Sequence, residues 1–299
     1  MWSKELASLK LASVLASSLP GPVLYALARA TGRGLARLPD FDGRRALVAS
    51  HMGRVTGLGQ ERARALVPEV MANYGQYWAE SLRLPHLAPS AVVAGVTTEG
   101  EEHVDAALEA GRGVIIAAPH LGGWEWGARY LVARGVPVTV AVEELSPPDV
   151  FDWFTAFRTR LGMGVVPVGP GASSAVTGAL RAGHAVCLLS DRLVGATAGV
   201  EVDFFGARTK LPAGPVTLSV RTGAPVVAAA IYFGRGQGAH HIVFRRPLEL
   251  GTGSLREVVR AGTQSLASQL EELVRREPTQ WHIAQPNWPD DPRLRGRRA

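Results

Sequence analysis

The sequence predicts an α/β fold in which a mostly parallel central sheet is flanked by helices, with a helical N-terminal extension. From residue 92 onward, short apolar runs alternate with helical segments, which is the pattern of strands joined by crossover helices. The runs are continuously apolar, as expected for strands that are covered on both faces. No linker or repeat divides the chain. We therefore expect N-terminal helices in residues 1–39, one α/β domain over 40–290 and a basic tail at 291–299.

Residues 1–39 are expected to form two short helices separated at Pro20-Gly21-Pro22. Apolar residues recur along both helices beside basic ones such as Lys10 and Arg29, and Trp2 lies near the start. Such helices suit the headgroup region of an anionic membrane surface. Packing on the protein's own core is the alternative, because amphipathic spacing alone does not separate the two. No uncharged apolar run reaches the roughly 18 residues of a spanning helix, so no transmembrane helix is expected.

The other elements follow in order along the chain. Residues 44–84 have helical periodicity throughout, and Pro85 ends the segment. Strands are expected at 92–96, 114–118, 138–142, 165–168, 185–189, 225–232 and 241–244. Helices are expected at 101–110, 124–134, 149–161, 173–182, 212–222 and 254–277.

The charge balance is basic, with a formal net charge of +6 over 299 residues. A basic surface suggests an anionic partner, although a solvated tail that contains Arg293, Arg295, Arg297 and Arg298 is the simpler source of the excess. No motif typical of nucleic-acid binding occurs, so no nucleic-acid partner is expected. The single cysteine, Cys187, excludes an intramolecular disulfide. It lies in an apolar run, which indicates a structural thiol.

The candidate chemistry lies in the segment from Pro119 to Glu125. His120 directly follows strand 114–118, and open α/β sheets bind ligands beyond the carboxyl ends of their strands. Gly122 and Gly123 allow a sharp turn close to a ligand. We expect Glu125 to fold back beside the His120 ring, accept the Nδ1 proton and leave Nε2 free as a base. The alternative is a structural histidine beside a glutamate that the helix dipole favours.

Direct attack by a substrate hydroxyl is the mechanism that this segment favours. The chain has no Gly-x-Ser-x-Gly nucleophile motif, and a base that acts on a substrate hydroxyl needs no enzyme nucleophile. The amides of the glycine turn and Arg158 are candidate donors to the oxyanion. No metal site is expected, because zinc needs three or four ligands and the other histidines are dispersed.

The segment from Pro119 to Glu125 resembles the His-x4-Asp/Glu motif of glycerolipid-type acyltransferases, and it is most similar to that of the bacterial lipid A biosynthesis (late) acyltransferase family. Four further segments resemble this family's blocks in order, and the resemblance covers residues 1–290. They are Phe157-Arg158-Thr159-Arg160-Leu161-Gly162, Leu189-Ser190-Asp191-Arg192, Val202-Asp203-Phe204-Phe205-Gly206 with Leu211-Pro212-Ala213-Gly214-Pro215, and Glu277-Pro278-Thr279-Gln280-Trp281-His282.

The resemblance implies a peripheral enzyme at the cytoplasmic face of the cell membrane. Glu201 and the pair Trp281-His282 look most like the actinobacterial members that act on phosphatidylinositol mannosides. That likeness implies acyl transfer from acyl-coenzyme A, a co-substrate, to a mannose hydroxyl of a phosphoinositol glycolipid, with no cofactor. A lipid A type acceptor and an acyl carrier protein donor stay open. A non-catalytic lipid-binding protein is the alternative of a different class.

Six residues in these blocks or directly beside them are candidate substrate-binding residues. Arg158 is expected to form forked hydrogen bonds with a phosphate, or else a surface ion pair. Asp191 and Arg192 are expected to hold the acceptor beyond a strand end, or to neutralise each other. Glu201 is expected to bind sugar hydroxyls, or simply to be exposed. Phe205, together with Phe204, is expected to wall an acyl groove or else to fill core, and Gly206 of the same block is a further candidate.

Overall fold

The computed structural model describes residues 3–144, 146–195, 197–234, 236 and 239–292. The predicted basic tail therefore lies outside the described residues from residue 293 on. Five helices precede the first strand: α1 (Lys4–Ser18), α2 (Gly21–Leu35), α3 (Asp42–Thr56), α4 (Gln60–Arg83) and α5 (Pro89–Ala94). The later helices are α6 (Glu102–Glu109), α7 (Trp124–Ala133), α8 (Pro148–Arg160), α9 (Ala172–Arg181), α10 (Gly214–Thr222) and α11 (Leu255–Arg276).

A seven-stranded sheet forms the centre of the molecule. Its order is β1-β9-β8-β2-β5-β3-β4, and only β8 and β9 are antiparallel neighbours. The strands are β1 (Val96–Glu99), β2 (Val114–Ala118), β3 (Val138–Val142), β4 (Met163–Pro167), β5 (Ala185–Leu189), β8 (Val226–Phe233) and β9 (His240–Phe244). This confirms the predicted α/β fold with its mostly parallel sheet and its N-terminal helices.

Both faces of the sheet are covered. Successive side chains of β2 point to opposite faces: Ile115 and Ala117 join one apolar cluster, with residues of α3, α4 and α11, while Val114 and Ile116 join another, with residues of α7 and α8. All five residues of β2 are buried. Burial also raises the pKa of the Cys187 thiol on β5 to about 12, so this thiol stays protonated at neutral pH, as expected of a structural cysteine.

Three parts of the secondary structure differ from the sequence prediction. The single helix expected over 44–84 is wrong, because Gly57 adopts a left-handed conformation (φ +70°) that ends α3 and permits a turn before α4. The strand expected at 92–96 is also wrong: Pro89 is favourable at a helix start, and the apolar run completes α5 before β1. The hairpin of β6 (Gly199–Phe204) and β7 (Ala207–Pro212) was not predicted.

The N-terminal helices bury one side and expose another. Leu6, Ala16, Leu24 and Tyr25 lie in the core. A second set of large apolar side chains on the same two helices is exposed: Leu11, Val14, Leu15, Val23, Leu27 and Leu35. Among the described residues, no helix is both long and apolar enough to cross a membrane.

Candidate active site

The register of two neighbouring strands brings His120 and Asp191 together. Strand β2 pairs with β5 in parallel, with Ala118 opposite Leu189. The Ser190 amide continues the ladder by donating to the Ala118 carbonyl at 2.9 Å. His120 and Asp191 each lie two residues beyond these opposed positions, so both side chains occupy the same carboxyl edge of the sheet, where ligands of such sheets bind.

Asp191 holds the His120 ring through a short hydrogen bond. Its Oδ1 atom lies 2.6 Å from His120 Nδ1. The other oxygen, Oδ2, accepts from the His120 backbone amide at 2.8 Å and from Trp281 Nε1 at 2.7 Å. The Asp191 side chain is fully buried, whereas that of His120 is 23% exposed. The carboxylate is thus fixed from three directions, and the imidazole retains an edge that solvent reaches.

The electrostatics of the pair define the tautomer of His120. Burial alone raises the pKa of Asp191, but the charge of His120 and the hydrogen bonds from His120 and Trp281 outweigh it, so the pKa lies below its usual range. An ionised carboxylate can only accept hydrogen bonds, so Nδ1 carries a proton, and in the neutral ring Nε2 keeps its lone pair. This arrangement leaves Nε2 able to accept a proton beside a buried negative charge.

The structure corrects the expectation that Glu125 orients His120. Glu125 is buried in the first turn of α7. It accepts hydrogen bonds from Arg158 Nη2 at 2.8 Å and from the Tyr77 hydroxyl at 3.3 Å. The reason is the path of the glycine turn, whose bridge from Gly122 to β8 directs the start of α7 towards α4 and α8. Glu125 therefore neutralises a buried arginine, and Asp191 takes the place expected for Glu125 beside the ring.

The glycine turn leaves no free amide at the positions expected to bind an oxyanion. Gly122 has a φ of +56°, and a Cβ atom there would overlap the Ile231 carbonyl oxygen. The amides of Leu121, Gly122 and Gly123 donate to the carbonyls of residues 119, 280 and 231. Since each amide has one hydrogen to donate, these three groups hold the turn in place and are not available to a substrate.

Arg158 lies in a buried aromatic setting and does not form the surface ion pair that was the alternative to phosphate binding. Its side chain is 10% exposed. The guanidinium carbon is 5.3 Å from the centre of the Trp124 ring and 5.4 Å from that of Phe154. The pair with Glu125 occupies part of the donor set that phosphate binding would use, and a role of Arg158 towards a phosphate stays a prediction.

The other candidate residues are distributed around this edge. Arg192 does not neutralise Asp191; its Nη2 atom donates to Glu143 at 2.6 Å. Glu201 is exposed on β6, opposite Lys210. Phe205 is buried with its ring 4.5 Å from that of Phe204, which favours the core alternative over an acyl wall. Gly206, which is exposed, follows it in the two-residue turn of the hairpin.

Sequence reasoning assigned no role to the segment that supports His120 and Asp191, which we call the dyad, from outside the sheet. We call residues 281–292 the C-terminal strap. Trp281 bridges to Leu121, and the His282 amide donates to the His120 carbonyl at 2.8 Å. His282 Nε2 lies 3.1 Å from the Gly122 carbonyl. The only signal in the sequence was the family-like block that contains Trp281-His282.

His282 is held neutral beside the dyad. Burial lowers its pKa to about 4, and the nearby charge of His120 lowers it too, against the opposing effect of the hydrogen bond to Gly122. Its Nε2 hydrogen points to a carbonyl, so the buried Nδ1 is the unprotonated nitrogen, and this atom has no partner among the described residues. His120 is therefore the ring at this edge that both faces solvent and contacts a carboxylate.

Comparisons with known proteins show the family of the chain. The family model described as bacterial lipid A biosynthesis acyltransferase matches residues 9–289. The phosphatidylinositol mannoside acyltransferase of Mycobacterium tuberculosis (strain ATCC 25618 / H37Rv) is 35% identical over 224 residues, which cover 73% of this chain and 68% of that one. The enzyme of the same name from Mycolicibacterium smegmatis is 34% identical over 226 residues, covering 75% and 72%. The chain belongs to the bacterial lipid A biosynthesis acyltransferase family.

Proposed function

We propose that this protein transfers a fatty acyl group from acyl-coenzyme A to a mannose hydroxyl of a phosphatidylinositol mannoside at the cytoplasmic face of the membrane. The observation that carries the reaction type is the pair of His120 and Asp191, a solvent-reachable imidazole bonded through Nδ1 to a buried carboxylate. The acceptor is proposed from the names of the relatives that share 34–35% identity with this chain.

In this mechanism His120 acts as general base. Nε2 removes the proton from the acceptor hydroxyl while the hydroxyl oxygen attacks the thioester carbonyl carbon. The tetrahedral intermediate collapses, the carbon–sulfur bond breaks, and the proton passes from His120 to the departing thiolate. Asp191 stabilises the imidazolium between these two proton transfers. No covalent bond to the protein forms at any step.

Two exposed or partly exposed residues are proposed to contact the acceptor headgroup. Arg192 follows Asp191 directly and has a partly buried guanidinium, while the Glu201 side chain is exposed on the hairpin. A charged side chain of each sign suits a headgroup that carries both phosphate and hydroxyl groups.

The central experiment measures thiol release from acyl-coenzyme A with a phosphatidylinositol mannoside acceptor, a lipid A precursor, or no acceptor. For His120→Ala we expect kcat to fall by about 10³-fold or more, because no other base replaces it. His103→Ala, on helix α6, is the matched control and should keep wild-type activity. A His120→Ala rate within tenfold of wild type would exclude the mechanism. Absence of thiol release with every acceptor would favour a non-catalytic binding protein. Faster thiol release with the lipid A precursor would show that a lipid A type molecule is the preferred acceptor.

The exposed apolar side chains of α1 and α2 are proposed to contact the membrane. Replacing Leu11, Val14 and Leu27 together by serine should lower binding to anionic phospholipid vesicles at least tenfold, since burying each such side chain in an apolar phase stabilises by roughly 1.5–3 kcal/mol. Leu255→Ser, at an exposed apolar position on α11, is the control and should bind as wild type does. Equal sedimentation of the triple variant and the wild type would contradict this part of the proposal.

A further inference from the structure

A fully buried histidine connects α3 to the C-terminal strap. The His51 ring lies with Nδ1 3.2 Å from the Ile283 carbonyl oxygen and Nε2 2.9 Å from Asp291 Oδ2. A carbonyl oxygen can only accept a hydrogen bond. A carboxylate is likewise an acceptor, so both ring nitrogens face acceptors, and both can donate only in a ring that carries two protons. The side chains of His51 and Asp291 are each at most 1% exposed.

The surroundings of the pair favour an ionised Asp291. Burial alone raises the pKa of Asp291, but the hydrogen bonds from His51 and from the amides of Asn287 and Trp288 outweigh it and lower the pKa below its usual range. The Asn287 amide is 2.6 Å from Asp291 Oδ2, and the Trp288 amide 2.9 Å. Arg54 lies over the Trp288 ring and pairs with Asp290.

The same strap holds Asp191 at two points. Trp281 Nε1 donates to the Asp191 carboxylate at 2.7 Å, and Asn287 Nδ2 donates to the Asp191 backbone carbonyl at 2.9 Å. The two residues that contact Asp191 therefore lie in the segment that His51 fixes at residues 283 and 291. The Trp281 ring lies 5.7 Å from that of His51, and the Trp288 ring 5.1 Å.

We propose that His51 is a positioning residue for the acyl transfer: its buried ion pair with Asp291 fixes the C-terminal strap, through which Trp281 and Asn287 hold Asp191 against His120. This inference rests on the proposed role of His120 as the base. His51 itself contacts neither dyad residue in the described structure. The effect of His51 is transmitted through the strap. Substitution of His51 should therefore change the rate of proton transfer and leave the affinity for the substrate unchanged.

Loss of the ion pair should have a particular kinetic signature. Without the His51 charge, Asp291 becomes a buried carboxylate without its counter-ion, and the strap shifts to relieve it. Asp191 is then held less firmly, and it stabilises the imidazolium of His120 less well. The acid limb of the pH dependence of kcat, where the base becomes protonated, should therefore move to lower pH. A residue with a purely structural role would lower the folded fraction and leave the position of this limb unchanged.

Two isosteric substitutions separate the two hydrogen bonds of His51. His51→Gln keeps a donor near the position of Nε2, facing Asp291, whereas His51→Asn keeps one near the position of Nδ1, facing Ile283. Neither supplies the charge. We expect kcat of His51→Asn to fall about tenfold to hundredfold, the range for a misplaced catalytic geometry, with KM for acyl-coenzyme A unchanged and the acid limb at lower pH. His51→Gln should lose less activity. His184→Gln, at the opposite end of β5, is the matched control and should leave kcat and the limb unchanged.

Wild-type protein provides a test that does not depend on the folding of a variant. Nitrogen-15 NMR of the histidine rings at neutral pH should show His51 protonated at both nitrogens. A neutral His51 ring would overturn the proposal, as would a folded His51→Asn variant with wild-type kcat and acid limb. A kcat that falls only in proportion to the folded fraction would also overturn it. Retained activity of His120→Ala is a different result: it would refute the proposed base, whatever the His51 variants do.

Discussion

Two buried carboxylates lie near the turn that follows His120, and they bind different partners. Asp191, 71 residues from His120 along the chain, bonds to its imidazole. Glu125, five residues away, bonds to Arg158 and Tyr77. One carboxylate thus faces a ring that solvent reaches, and the other faces a guanidinium enclosed by aromatic rings. Proximity in sequence did not identify the carboxylate that contacts His120, because strand pairing decides which side chains share the edge of a sheet.

Under the proposed mechanism, Asp191 should affect mainly the rate of the reaction, whereas Glu125 should affect mainly the stability of the fold. The partner of Asp191 changes its protonation state during the proposed reaction. The stabilisation that this carboxylate provides is therefore larger in the transition state than in the ground state. The partner of Glu125 keeps its charge throughout. Substitutions at these two positions should therefore separate cleanly in kinetic and unfolding measurements.

The largest expected effect is on catalysis, at Asp191. Asp191→Asn should lower kcat by about 10³-fold to 10⁴-fold, because the amide can donate to Nδ1 and move the ring proton to Nε2, where the base needs a lone pair. Initial rates of thiol release measure the change. Asp152→Asn, at an exposed position on α8, is the matched control. If Asp191→Asn retained more than a tenth of the wild-type rate, Asp191 would not be the orienting carboxylate.

The next effect is on stability, at Glu125. Glu125→Gln removes the counter-charge of a buried arginine, which should lower the free energy of unfolding by about 3 kcal/mol, as measured by urea denaturation. Combining it with Arg158→Met should recover part of this loss, since no unpaired charge remains.

The same variant also sharpens the comparison of the two carboxylates. Glu125→Gln should leave the acid limb of the pH–rate profile where it is in the wild type. A shift of that limb as large as the one in Asp191 variants would show that both carboxylates act on His120, and the division between rate and stability would not hold.

The smallest expected effect appears only at acid pH, at His282. Its pKa of about 4 in the folded protein lies below the unfolded value of roughly 6.5. The unfolded state therefore binds more protons between these two values, and stability is lost as pH falls through that window. For this partly buried ring the loss should be on the order of 1 kcal/mol between pH 7 and pH 5.

His282→Phe removes this contribution, because phenylalanine does not titrate. Urea denaturation at pH 7 and at pH 5 should show a smaller decrease in stability for the variant than for the wild type. His86→Phe, at the surface turn after α4, supplies the comparison for loss of a histidine. Equal decreases in His282→Phe and the wild type would mean that His282 is not held neutral by burial.

The sequence predicts three of the central strands well, for physical reasons. The limits of β2, β3 and β5 match the prediction because each is a short apolar run between turn residues, which few other structures accommodate. The order of the strands does not follow from periodicity, so the adjacency of β2 and β5 could not be read from the chain. Without that adjacency, Asp191 was expected at the correct edge, but its contact with His120 could not be foreseen.

The support for the dyad was harder to predict than the dyad itself. The C-terminal strap has no helical or strand periodicity, and its contacts are single hydrogen bonds between distant residues. His51 lies inside a helix among apolar neighbours, where a histidine carries no pattern of its own. The hairpin of β6 and β7 was missed because only one face of it is buried, and its apolar run is short.

The position of the strap along the chain has a consequence for the order of events during synthesis. Protein chains are made from the N-terminus, so α1 and α2 leave the ribosome well before the strap does. The surface that we propose to meet the membrane is then complete while Asp191 still lacks its indole donor. Under the proposed function, a nascent chain could contact a lipid surface before the hydrogen bond from Trp281 to Asp191 has formed, and it would become active only afterwards.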